Sequence, residues 1–285
     1  MSEPNREQQA FWNEHAGPIW VRNQERLDEQ IRPHGERALA LLEAKPGERV
    51  LDVGCGCGET ALALATAVGA GGAVLGVDLS EPMLARARAR AAAAGHGHVA
   101  FRAADAQDAD LGEASFDAVF SRFGVMFFGA PESAFGNLLH ALRPGGRLGF
   151  VCWGPVAENA WVRVPMEAAA PLLDPLPPPQ PDAPGPFAFS DPDRVRRILD
   201  EAGFQSVTVE RAEVPMVPGG GDPEAAAALF LDIGPLGRAL REMGADPAHR
   251  DRVQAAVRDA FAPHVRDGRL ELASSVWLVQ AGRDL

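Results

Sequence analysis

Short apolar runs alternate with stretches of helical periodicity across residues 45–153. Val50-Leu51-Asp52-Val53, Val74-Leu75-Gly76-Val77, Val99-Ala100-Phe101, Phe116-Asp117-Ala118-Val119-Phe120 and Leu148-Gly149-Phe150-Val151 are each too short for a buried helix. They predict strands over 49–53, 73–79, 99–102, 116–121 and 147–153. Residues 59–68, 80–94 and 131–142 read as helices between them. Ser80 stands at an N-cap position with Pro82 in the first turn. Strand–helix alternation with short connections predicts a parallel sheet covered on both faces. Ligands on such a sheet bind beyond the carboxyl ends of the strands. Asp52, Asp78, Asp105 and Ser121 all fall at or just past those ends, so they are expected to share one rim.

The flanks carry different patterns. Residues 1–44 read as a helical arm or cover, with Phe11, Trp12, Ile19 and Trp20 set around Asn13, Glu14 and His15. Pro33 and Gly35 interrupt the periodicity of 25–43 and predict two helices there. Residues 154–190 are proline-rich, including Pro177-Pro178-Pro179, with an amphipathic piece over 161–173, and read as a lid or substrate segment. Ser190-Asp191-Pro192-Asp193 opens a helix that stops at Gly203. A sixth strand follows at 207–211, a helical insertion at 223–262 and a last strand at 276–281. A strand, an inserted helical segment and a final strand suit an antiparallel edge. The expected fold is α/β, a doubly wound Rossmann-like sheet of about seven strands, mostly parallel with the last antiparallel. The division is 1–44, the core 45–153, the segment 154–190 and the C-terminal part 191–285.

Composition narrows the functional classes. The net charge is −12, and Lys45 is the single lysine among 27 basic residues. An acidic chain with scattered arginines is a poor ligand for a phosphate backbone, so no nucleic acid partner is expected. No apolar run approaches the roughly 18 residues that a membrane span needs. The polar N-terminus does not read as a signal peptide. Cys55, Cys57 and Cys152 have neither zinc-site nor CxxC spacing, so no metal is expected and the protein reads as cytoplasmic.

The densest chemistry lies at Val50 to Thr60. An apolar run enters an acid, Asp52, and then Gly54, Gly56 and Gly58 alternate with Cys55 and Cys57 before a helix begins. Glycines at a strand–helix turn tolerate positive φ and let a ligand approach the backbone. Dinucleotide enzymes space the third glycine one residue later. Asp78, ending the second strand, suits a ribose diol, and Asp105, after the third, suits an exocyclic amine.

Val50 to Gly58, Val77-Asp78-Leu79-Ser80, Asp105-Ala106, 116–120 and Leu142-Arg143-Pro144-Gly145-Gly146 resemble the successive motifs of the UbiE-like class I S-adenosylmethionine (SAM) dependent methyltransferases, methyltransferase type 11. The resemblance implies SAM as methyl donor and S-adenosylhomocysteine as product. It places the methionine part at Asp52, Gly54 and Gly56, with Cys55 in the same turn, the ribose at Asp78 and the adenine at Asp105 and Ala106. Leu79 and Met83 would flank the nucleoside, and Ser121 would lie beside the methionine end. An acid in the turn suits the ammonium and sulfonium, and backbone N–H groups suit the carboxylate. The 121–128 loop lacks the Asn/Asp-Pro-Pro-aromatic signature of amino-methylating DNA and glutamine enzymes, and Cys152 alone does not make an arsenic site. Trp12, Trp20, Arg122, Phe127 and Trp153 are the expected substrate pocket. A small organic metabolite accepts the methyl at O, C or N by in-line displacement, with His15 as the candidate base. A quinone-precursor carbon is the narrower reading. A SAM-binding protein without methyl transfer and a nicotinamide oxidoreductase are the alternatives. The expected state is a monomer or homodimer with no membrane partner.

Overall fold

The computed structural model describes residues 3–174 and 183–285, so the triple proline at 177–179 lies outside the described residues. The sheet strands are β1 (Arg49–Val53), β2 (Ala73–Asp78), β3 (Val99–Ala103), β4 (Phe116–Arg122), β5 (Leu142–Trp153), β6 (Gln205–Glu213) and β7 (Ser275–Gly282). Their order is β3-β2-β1-β4-β5-β7-β6. The first five are parallel, and β7 runs antiparallel to both β5 and β6. This is the doubly wound sheet expected, mostly parallel with the last strand antiparallel; β7 lies between β5 and β6, and β6 forms the edge. The order reverses beside β1, where β2 lies on one side and β4 on the other. A switch of this kind opens a crevice at the strand ends.

The helices are α1 (Glu3–Phe11), α2 (Gly17–Arg22), α3 (Gln24–Leu42), α4 (Glu59–Val68), α5 (Glu81–Ala93), α6 (Pro131–Ala141), α7 (Ala160–Ala169), α8 (Pro192–Ala202), α9 (Pro223–Phe230), α10 (Gly234–Glu242) and α11 (Pro247–Ala260). One hydrophobic core extends from Val50 and Phe120 in the sheet to Trp161, Phe230 and Phe261 among α7 to α11. Among the described residues no helix is long and apolar enough to cross a membrane.

Two local expectations fail for identifiable reasons. Residues 24–42 form one helix, not two, with Pro33 inside it. Proline removes one backbone donor, but Leu27, Ile31, Ala38 and Leu42 bury a continuous face on both sides of it, and packing outweighs propensity. Gly35 is not a breaker either. A Cβ there would sit 2.8 Å from Arg122 Cδ, so the glycine makes room for that arginine. The strand expected at 147–153 starts earlier, and residues 142–146 belong to β5. Gly145 N–H donates to the Arg283 carbonyl at 3.0 Å, and Arg283 N–H to the Gly146 carbonyl at 2.9 Å, which pairs this segment with the C-terminal residues.

Candidate active site

The turn after β1 is folded by its own hydrogen bonds. The N–H groups of Gly54 and Cys55 donate to the Val77 carbonyl at 2.9 and 3.1 Å, and Gly56 N–H donates to Asp78 Oδ2 at 2.8 Å. The glycine N–H groups are therefore spent inside the turn rather than offered to a carboxylate. The donors without intrahelical acceptors are those of the first turn of α4, which starts at Glu59. Gly54 has φ +67°, and a Cβ on it would lie 2.7 Å from Gly124 Cα, so the β1 turn and the post-β4 loop touch backbone to backbone.

Three carboxylates line the rim. Asp52 is fully buried, and Thr60 Oγ1 donates to its Oδ2 at 2.6 Å, while its Oδ1 has no partner among the described residues. Burial pushes its pKa up to about 7, against the pull of Thr60 and Arg122. An unpartnered buried carboxylate oxygen beside a glycine turn fits a cationic ligand end. Asp78 accepts from Gly56 N–H and, at 2.9 Å, from Ser80 N–H, and burial raises its pKa. Asp105 is buried, with Gln107 N–H donating to its Oδ1 at 3.0 Å and Asn5 Nδ2 to its Oδ2. Leu79 and Met83 follow Asp78, and Ala106 is buried beside Asp105. The Ser121 hydroxyl is turned inward. It donates to the Val53 carbonyl at 2.8 Å and accepts from Gly124 N–H at 3.2 Å, which staples β4 to β1.

The arm lies across this rim. Asn13 Nδ2 donates to the Leu79 carbonyl at 2.8 Å, and Asn13 Oδ1 accepts from Glu81 N–H at 3.0 Å. Asn13 thus caps α5 from another element, while Ser80, the capping residue read from sequence, donates its hydroxyl to the Trp12 carbonyl at 2.9 Å. Trp12 meets Trp20 and Phe127 with ring centroids 6.3 and 5.2 Å apart. His15 points to solvent on a π-helical turn, because Ala16 and Gly17 take the buried side.

A second aromatic group grows from the same loop. Phe123 has φ +60°, an uncommon conformation for a bulky residue, and stacks on Trp153 at 4.1 Å and 9°. Trp153 lies 4.8 Å from Trp161, whose indole N–H is satisfied by Asn159 Oδ1 at 3.1 Å. His34, which the sequence reading passed over, sits edge-on to both Phe123 and Trp153, with Nε2 2.8 Å from Ser274 Oγ. Burial pushes its pKa down to about 4, so it is a neutral imidazole. Burial pushes Cys57 up to about 12 and Cys55 and Cys152 well up, so none of the three offers a thiolate.

Arg122, expected in the substrate pocket, is held in an ion-pair network. Its guanidinium pairs with Glu59 at 2.5 Å and Asp28 at 3.7 Å. Arg32 also pairs with Glu59, at 2.7 Å, and Arg90 with Asp28, at 2.9 Å. The guanidinium goes there because Gly35 leaves the space and two acids await it. Arg90 also donates to the Cys57 carbonyl at 2.8 Å, so the network braces the glycine turn.

A family model described as a methyltransferase domain matches residues 50–146. Nocamycin O-methyltransferase of Saccharothrix syringae is 34% identical over 190 residues, covering 63% of this chain and 67% of that protein. The chain belongs to the class I SAM-dependent methyltransferases. Aklanonic acid methyltransferase of a Streptomyces species is 34% identical to this methyltransferase over 122 residues, 43% of this chain and 56% of its own. The methyltransferase thus spans between about half and two thirds of these relatives' lengths. A phosphoethanolamine N-methyltransferase of Haemonchus contortus, solved with SAM, shares the fold with a TM-score of 0.54 at 20% identity, over 88% of this chain and 53% of that one.

Proposed function

We propose that the enzyme methylates an oxygen of a small, largely apolar organic acceptor that ionises without help from a protein base. The observation that carries this reading is the stack of Phe123, on the loop whose Gly124 touches Gly54, against the buried Trp153 at the end of β5, with Trp161 of α7 beside it. Flat apolar faces beside the donor site suit a conjugated acceptor. Arg122, the cation of that loop, is committed to Glu59 and Asp28. The rim acids Asp52, Asp78 and Asp105 belong to the cofactor side. His15 is exposed, and burial leaves His34 a weak base with its Nε2 engaged by Ser274, so the reading assigns the base to neither. The names of the nocamycin and aklanonic acid enzymes support an organic acceptor, the first of them methylated on oxygen.

Bound SAM supplies an electrophilic methyl group on a sulfonium. Asp105 and Ala106 hold the adenine, Asp78 the ribose, and Asp52 the ammonium, with the first turn of α4 toward the carboxylate. Leu79 and Met83 flank the nucleoside. The rings of Trp12, Phe123 and Phe127 exclude water and offer π faces to a cation, which aligns the acceptor oxygen for in-line attack. Incubation with methyl-labelled SAM and a metabolite extract, followed by mass spectrometry, tests the reading. The expected product is heavier by one methylene unit and labelled on oxygen, with one S-adenosylhomocysteine formed per transfer. Label on a ring carbon would point instead to the quinone-precursor class. Cofactor binding with no labelled product would point to a binding protein.

A further inference from the structure

The arm brings two unassigned side chains to the adenine end of the rim. Asn5 and Gln8 lie on one face of α1, since residues three apart on a helix are neighbours. Asn5 is 3% exposed although it sits in a terminal helix that is otherwise polar. Its Nδ2 donates to Asp105 Oδ2. The amide nitrogen donates and Asp105 Oδ2 accepts, so this contact sets the orientation of the amide and turns Oδ1 away from that oxygen. Oδ1 is buried without a hydrogen-bond donor among the described residues, and so is Gln8 Oε1 one turn on. Folded proteins seldom leave such oxygens unpaired, and two on one helix face mark a missing donor. The two bonds of Asn13 to Leu79 and Glu81, together with the Ser80 bond to Trp12, hold the arm beside the segment that follows Asp78. The arm is therefore fastened across the strip between Asp78 and Asp105.

A carboxamide beside a carboxylate is suited to an exocyclic amine that carries two N–H groups, and carboxamides read adenine by pairing with its 6-amino edge. We propose that Asn5 is a specificity residue of the cofactor site, its Oδ1 accepting from the adenine 6-amino group while Asp105 takes the other N–H. This rests on the assignment of the adenine to Asp105. The arm then belongs to the donor site as well as covering it, and its docking is coupled to the purine that is bound.

The test is calorimetric titration of the full chain with S-adenosylhomocysteine and with its inosine analogue, which carries a 6-oxo group in place of the amine. Wild type should prefer the adenine compound. Asn5→Ala should weaken it about tenfold, the scale of one hydrogen bond, while the inosine compound changes by no more than about twofold. Asn5→Asp should weaken the adenine compound further, because a second carboxylate would face Asp105. Equal weakening of both compounds by Asn5→Ala would mean that Asn5 only fastens the arm and would overturn the proposal. Unchanged or tighter binding of the adenine compound would overturn it too, the latter by showing that Asn5 competes for the slot. Asp105→Ala separates the two layers. If it weakens S-adenosylhomocysteine and Asn5→Ala does not, the Asn5 proposal alone falls. If Asp105→Ala has no effect, the adenine assignment falls and takes Asn5 with it.

Discussion

On the cofactor side of the rim, contacts run through backbone and carboxylates with no slack. Gly54 touches Gly124, Gly56 N–H meets Asp78, and Thr60 meets Asp52. In the aromatic group proposed to face the acceptor, Phe123, Trp153 and Trp161 meet ring against ring, as do Trp12 and Phe127. The first side is held by directional bonds that fail if one atom moves. The second is held by area and shape, which several aromatic residues could satisfy. A common donor needs the first kind of site and a variable acceptor permits the second. Substitutions on the two sides should therefore fail differently.

The steepest loss is expected from Gly54→Ala. The added Cβ meets the backbone of the post-β4 loop 2.7 Å away, and at φ +67° the turn has little room to yield. S-adenosylhomocysteine affinity should fall by more than about 100-fold, some 3 kcal/mol by calorimetry. Arg122→Met should leave Glu59 and Asp28 facing each other without that cation, and cost about 3–5 kcal/mol in denaturant unfolding. The acceptor side should be milder. Trp153→Leu removes the stacked face of Phe123 and should raise the acceptor KM about tenfold with cofactor affinity unchanged.

Most of the core was legible because its signals are local. An apolar run that ends in Asp52 or Asp78 declares a strand and its carboxyl end within six residues. The arm was not legible in the same way. Asn5 and Asp105 are 100 positions apart, and nothing around a lone asparagine in a polar helix announces a buried partner. The ion pairs of Arg122 were not legible, because the space for its side chain is set by Gly35 on another element. His34 gave no signal, since its ring partners Phe123 and Trp153 come from two strand ends far along the chain. Single polar residues at long-range contacts look alike in sequence, and only the fold sorts them.

A subtler effect is protonic. The Asp52 carboxyl titrates near 7 when folded, against a reference of 3.8, so its contribution to stability is full below the unfolded pKa and is lost as pH rises through about 7. A cationic ligand end reverses that preference and favours the carboxylate. Cofactor binding near pH 6.5 should therefore release up to about one proton, seen as a dependence of binding enthalpy on buffer ionisation, and Asp52→Asn should abolish it. The smallest effect is expected from His15→Ala. The residue is exposed, so turnover should stay within about twofold of wild type at every pH measured.

The division between a backbone-built donor site and a ring-built acceptor site is tested most directly by titrating S-adenosylhomocysteine into wild type, Gly54→Ala and Trp153→Leu side by side. Saturable binding to wild type, wild-type affinity in Trp153→Leu and no detectable heat in Gly54→Ala is the predicted result. Binding retained by Gly54→Ala and lost from Trp153→Leu would contradict it.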